Sequence, residues 1–223
     1  MIEDLKKELI SLSDEKYQKF SSSLTPNIDN ILGVRLPILR KIAKRISKEN
    51  YQIFFKENDD EYMELTMLEG MVIGLLSYQE QKKHIEKFIL KINNWAVCDS
   101  FCASLKTYKT KKEDLKKLIE KLYLSKEEYL SRTAYVLALN YLIDEDLDYV
   151  LEKIEQFNNE LYYAKMAAAW CFSICIINHY DKVLEKINKL KIHPWVFKKG
   201  LTKAIESLKL TKEQKEKLRQ IRK

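Results

Sequence analysis

The chain has 223 residues, enough to bury a large core, and 46% hydrophobic with 11% aromatic side chains excludes a disordered one. Only 4 Gly and 3 Pro occur, too few for the many turns of a sheet-rich fold, so long helices are favoured. The formal charge of +7 is uneven: the last 33 residues hold 11 basic and 3 acidic side chains, whereas residues 51–93 hold 5 and 8. Such a basic segment suits a polyanion partner, or else a solvated terminal helix.

Other classes are excluded by shorter segments. The longest nearly apolar run, Ala167 to Ile177, is interrupted by Ser173 and is too short to span a bilayer. The start, Met1-Ile2-Glu3-Asp4-Leu5, is acidic and periodic, unlike a signal peptide. A soluble cytoplasmic protein is the expectation.

Apolar positions recur at three and four along most of the chain. Leu5, Leu9, Ile10 and Leu12 predict a first helix. Pro26 and Gly33 mark a loop. Leu36, Leu39, Ile42, Ala43 and Ile46 predict the next helix, with Pro37 in its first turn, where the missing N–H costs nothing. Met63, Met67, Gly70, Met71 and Gly74 form a stripe whose two glycines allow close helix approach.

From there helical pairs begin near Glu61, Asn94, Glu127, Leu161 and Trp195, with starts 33 or 34 residues apart. Breaks fall at Ser77-Tyr78-Gln79, Thr107 to Thr110, Asp144-Glu145-Asp146 and Asn178 to Asp181. No β-hairpin signal occurs. The pattern predicts an all-α protein: a right-handed α-solenoid of about six HEAT-like helical pairs, forming one domain over residues 1–223. A compact helical bundle is the competing architecture. In solenoids the second helices usually line the concave face, yet here the informative residues fall on first helices.

Those residues are Trp95, Asp99, Arg132 and Trp170. Trp95 and Asp99 are four apart, so a helix sets them on one face. Arg132 follows 33 residues after Asp99, and Trp170 follows 38 after Arg132, spacings that suit equivalent helices of successive pairs. Two indoles, a carboxylate and a guanidinium suit a cationic, aromatic, phosphate-bearing ligand, and damaged DNA is one. Each also has a plainer reading. Tryptophans are mostly core anchors, and Trp195, after Pro194, reads as one. Asp99 lies among Val97, Cys98, Phe101 and Cys102, which predicts apolar surroundings. It is then either an ion-pair partner of Arg132 or a carboxylate at the mouth of a cleft. Arg132 suits bidentate phosphate contact, or a salt bridge.

Cys98/Cys102 and Cys171/Cys175 are i,i+4 pairs without the CxxC spacing of zinc ribbons, so packing is expected and no metal. His84, His179 and His193 are scattered, and no Gly-rich phosphate loop or GxSxG element is present, so no cofactor is expected. Lys165, five residues before Trp170, reads as a phosphate contact or a solvated side chain.

The same residues resemble a known family, the AlkD-like DNA alkylation repair proteins, which are HEAT-like DNA glycosylases, and in particular its shorter-chain branch. The resemblance runs from Ile31-Leu32-Gly33-Val34-Arg35-Leu36-Pro37 through Asn94 to Asp99 and on to Tyr162-Tyr163-Ala164-Lys165-Met166-Ala167-Ala168-Ala169-Trp170. It implies hydrolysis of the N-glycosidic bond of cationic N3- or N7-alkylated purines in duplex DNA without base flipping. It implies that Asp99 is catalytic, that Trp95 and Trp170 flank the lesion, and that Arg132 lies at the DNA backbone. Arg35, Lys106, Lys165 and Lys203 are further DNA-binding candidates. A monomer is expected, nucleoid-associated when bound to DNA, with no membrane partner. The alternatives are a non-catalytic HEAT-like binder of damaged or branched DNA, and a protein-binding scaffold.

Overall fold

The computed structural model describes residues 1–222, and among them every regular element is helical. Packing divides the chain into two compact units, Met1–Thr107 and Tyr108 onward. No helix among the described residues is long and apolar enough to cross a membrane.

In the first unit, α1 (Ile2–Ser11) and α2 (Glu15–Leu24) precede α3 (Leu36–Lys48), α4 (Tyr51–Glu57), α5 (Met63–Leu75), α6 (Tyr78–Ile89) and α7 (Trp95–Ser104). The first helices of the pairs stack directly, α3 on α5 and α5 on α7. Helix α5 is buried continuously from Met63 to Ile73. Its two glycines are what bring the neighbours close. A Cβ on Gly70 would sit 2.8 Å from the Phe88 ring, and one on Gly74 would sit 2.7 Å from the carbonyl oxygen of Ser104. The Phe88 and Phe101 rings meet there at 4.6 Å.

The entry to α3 is fixed by one carboxylate. Glu64 is 1% exposed and accepts the backbone N–H groups of Leu32 (3.0 Å), Gly33 (2.7 Å) and Val34 (3.2 Å). Gly33 has φ 86°, a left-handed conformation that L side chains rarely adopt, and a Cβ would meet the Asp14 carbonyl at 2.8 Å. Buried N–H groups need such partners, and the Glu64 carboxylate satisfies three together. Periodicity anticipated α1, but only its Leu5 and Leu9 are core; Ile10 is 49% exposed. Helix α2 buries no residue, so hydrophobic spacing gave no sign of it.

The second unit contains α8 (Lys112–Leu122), α9 (Glu128–Tyr141), α10 (Leu147–Glu155), α11 (Tyr162–Asn178), α12 (Tyr180–Lys186), α13 (Pro194–Glu206) and α14 (Lys212–Arg222). Again first helices stack, α9 on α11 and α11 on α13, with α14 against α13. Helix α11 buries Ala164, Ala167, Ala168 and Ala169, small side chains that admit neighbours on several sides. The helical pairs expected near Glu61, Asn94, Glu127, Leu161 and Trp195 start within two residues of those points. The stacked pairs within each unit are the arrangement of an α-solenoid.

Candidate functional site

Helix α7 begins where Asn94, only 2% exposed, caps it: its side-chain oxygen accepts the N–H of Val97 at 3.0 Å. One face carries Val97, Cys98, Phe101 and Cys102, all fully buried. The other carries Trp95, Ala96, Asp99 and Ser100, half-buried, and then exposed Ala103. Trp95, Asp99 and Ala103 therefore form a solvent-reaching stripe at i, i+4, i+8. Asp99 does not share the full burial of its apolar sequence neighbours: they point inward and it is half-buried. The indole of Trp95 is held at its edge, where Nε1–H donates to the Leu24 carbonyl at 2.9 Å.

In the second unit, Trp170 lies on the open side of α11, half-buried in a row with Tyr163, Met166 and Ile174. Arg132 is 4% exposed in the middle of α9, and its Nη1 donates to the carbonyl of Tyr163 at 3.1 Å. It is held rigid rather than waving at a surface. Tyr163 stacks on Tyr129 (5.8 Å between centroids), and its N–H donates to Glu128 at 2.6 Å. Burial, first of all, raises the Tyr163 phenol above its usual range.

The remaining basic candidates differ in how they are engaged. Lys165 pairs with Glu160 at 3.1 Å and lies over the Trp195 ring at 5.6 Å. The Lys165 hydrogen bond, with a smaller one from His193, holds Glu160 below the ordinary carboxylate range. Trp195 is half-buried beside exposed Tyr162 rather than sealed in the core. Arg35 pairs with Asp14 at 2.9 Å and stacks over the Tyr17 ring. Lys203 is half-buried on α13, while Lys106 is exposed just beyond α7.

Lys106 is brought together with two residues that sequence reasoning missed. Arg40 and Lys44, both exposed on α3, line one cavity of about 430 Å³ with Lys106, Ser100 and Ser104. The available signal was an arginine and a lysine at i, i+4 on the polar side of an amphipathic helix, which is common on solvated surfaces. Glu64 was also missed, because nothing in a sequence marks a carboxylate that binds loop N–H groups 30 residues away.

The four cysteines are buried free thiols that pack the core. Among the described residues no cluster of three or more His, Cys, Asp or Glu could hold a metal ion. His84 packs against the Phe55 ring, His179 bonds Asp144 and His193 bonds Glu160.

An all-helical protein of stacked pairs, presenting an indole and a carboxylate on one open stripe, is the class defined so far. A family model described as DNA alkylation repair enzyme matches residues 5–203. The chain belongs to that family, and so to DNA repair, with DNA as its partner. No curated protein matches it in sequence.

Proposed function

We propose that this protein is an alkylpurine DNA glycosylase: it hydrolyses the N-glycosidic bond of cationic N3- or N7-alkylated purines in duplex DNA without flipping the base. The observation that carries the reading is the Trp95–Asp99 stripe on α7, with a half-buried carboxylate one turn from an anchored indole, in a chain of the alkylation repair family.

The chemistry asks little of the protein. An N-alkylated purine already bears positive charge and leaves readily. As the C1′–N bond breaks, its electron pair goes to the base and positive charge develops on the sugar. The Asp99 carboxylate stabilises that oxocarbenium and orients the attacking water. A fixed carboxylate in a partly dry site does this better than water. Trp95 and Trp170 offer indole faces to cationic sugar and base, worth roughly 0.5–2 kcal/mol each. Two such contacts supply at most about a thousandfold in rate. An enzyme built this way needs a labile substrate and leaves unmodified bases alone. Arg35, Lys106, Lys165 and Lys203 serve the phosphate backbone in this reading, whereas Arg132, 4% exposed, acts on it only through the Tyr163 carbonyl that it holds.

Base release from duplex DNA carrying N7-methylguanine tests it, with wild type and Asp99→Asn side by side. Release by the wild type and its loss in the variant is the expected result. Strong release by Asp99→Asn sinks the assignment. No release by the wild type, with DNA still bound, leaves a non-catalytic binder of damaged or branched DNA.

A further inference from the structure

Helix α2 has 10 residues and buries none of them, so neither its own length nor apolar packing secures it. Polar contacts hold it instead. The Asp14 N–H donates to the Gly33 carbonyl at 3.2 Å, and the Gln18 Nε2–H donates to the Ile31 carbonyl at 2.8 Å. Both acceptors belong to the loop that Glu64 pins through the N–H groups of Leu32, Gly33 and Val34. Gly33 lets α2 seat there, since a Cβ on it would sit 2.7 Å from the Cβ of Gln18.

The far end of α2 reaches the candidate site. The carbonyl of Leu24, its last residue, accepts the Trp95 indole N–H at 2.9 Å. An indole turns broadly about its outer side-chain torsion, and the N–H is its one polar handle. This bond therefore fixes which way the ring faces. Thr25 follows, only 2% exposed, and its hydroxyl finds no hydrogen-bond partner among the described residues. A buried hydroxyl without a partner costs free energy, so the seated position carries a penalty that lifting α2 relieves.

We infer that α2 is a strap that positions the Trp95 indole one turn from Asp99. The Leu24 carbonyl is the latch, Gln18 holds the strap down, and the orphan Thr25 hydroxyl loosens it. Gln18 and Thr25 are thus positioning residues that act through Trp95. The consequence for base release rests on the glycosylase reading; the latch itself does not.

The test uses the full chain with its 3 tryptophans labelled for NMR at the indole nitrogen. Trp95→Phe identifies the Trp95 signal, and thermal melting verifies that each variant folds. Exchange of the Trp95 indole N–H with solvent reports opening of the latch. Gln18→Ala is expected to speed that exchange about 2–10-fold, the worth of one hydrogen bond. Thr25→Val keeps the shape without the hydroxyl and is expected to slow it about 2–10-fold. Lys19→Ala removes a pair with Glu15 inside α2 and is expected to leave it unchanged. Gly33→Ala drives α2 off its seat and should unlatch the ring altogether. Single-turnover release of N7-methylguanine by that variant, at saturating protein so that affinity does not enter, should fall about 2–30-fold, the worth of one cation–π contact.

The inference is overturned if Gln18→Ala and Thr25→Val move the exchange in the same direction, or if Lys19→Ala matches Gln18→Ala. It is also overturned if Gly33→Ala unlatches Trp95 and keeps the full rate, or loses the rate with the indole N–H still protected. No release by the wild type, with the exchange responding as expected, rejects the glycosylase and keeps the latch.

Discussion

In the second unit Lys116 bonds Asp146 at 2.9 Å, Lys153 is shared between Glu120 and Glu152 and lies against the rings of Tyr123 and Tyr149, and Lys165 is bound to Glu160. The first-unit cavity lined by Arg40, Lys44 and Lys106 holds those three cations and no acid. The same kind of helical pair thus holds cations in two ways, some neutralised by neighbouring acids and some open to an anion. Net charge does not tell which cations are paired, since residues 108–223 carry the whole formal +7 and still hold these pairs; what matters is whether a carboxylate reaches the cation. Exposed pairs contribute only about 0–1 kcal/mol each, so the outer Lys165–Glu160 pair can also be exchanged for phosphate at a small cost, whereas Lys153 is buried with its acids.

The largest expected effect falls on the first unit. Asp99→Asn should lower single-turnover base release by about 10²–10³, the usual scale for removing one preorganised electrostatic group from an active site. Trp170→Ala, in the second unit, should lower it only about 2–30-fold, since one cation–π contact is at stake. Equal losses in the two variants would break the assignment of the chemical role to α7.

Stability sharpens the contrast between the units next. Glu64→Ala leaves three loop N–H groups without their acceptor and should cost about 3 kcal/mol in urea unfolding. Gly74→Ala crowds the Ser104 backbone and should cost about 1–3 kcal/mol.

The smallest effect concerns the closed surface. The Lys116 hydrogen bond, with burial opposing it, holds Asp146 below its ordinary value of 3.8. A carboxyl depressed on folding stabilises above its unfolded pKa, and that contribution is lost as pH falls through the folded one. Lys116→Gln should therefore lower the melting temperature by a few degrees at most at pH 7. Below about pH 3.8 the difference from wild type should close. A difference that widens on acidification would show that Lys116 acts otherwise.

Much of the fold was legible in sequence because it is built from local signals. Apolar residues at three and four, Pro37 at a helix start and Asn94 as a cap all act within one or two turns, and the helices begin where those signals fall. Helix α2 was not legible, since a helix that buries nothing has no stripe to read. For the candidate site, the i, i+4 spacing of Trp95 and Asp99 determined that they share a face. Which face opens to solvent was decided by tertiary packing, in which α7 lies against α5 and Cys98, Phe101 and Cys102 are buried. The first-unit cavity belongs wholly to tertiary structure: Arg40 and Lys106 are 66 residues apart, and only the close approach of α3, α5 and α7 lines one cavity with both. Local periodicity encodes the helices through short-range backbone and side-chain geometry, but charge pairing and cavities arise between elements distant in the chain, where spacing along the sequence carries no information.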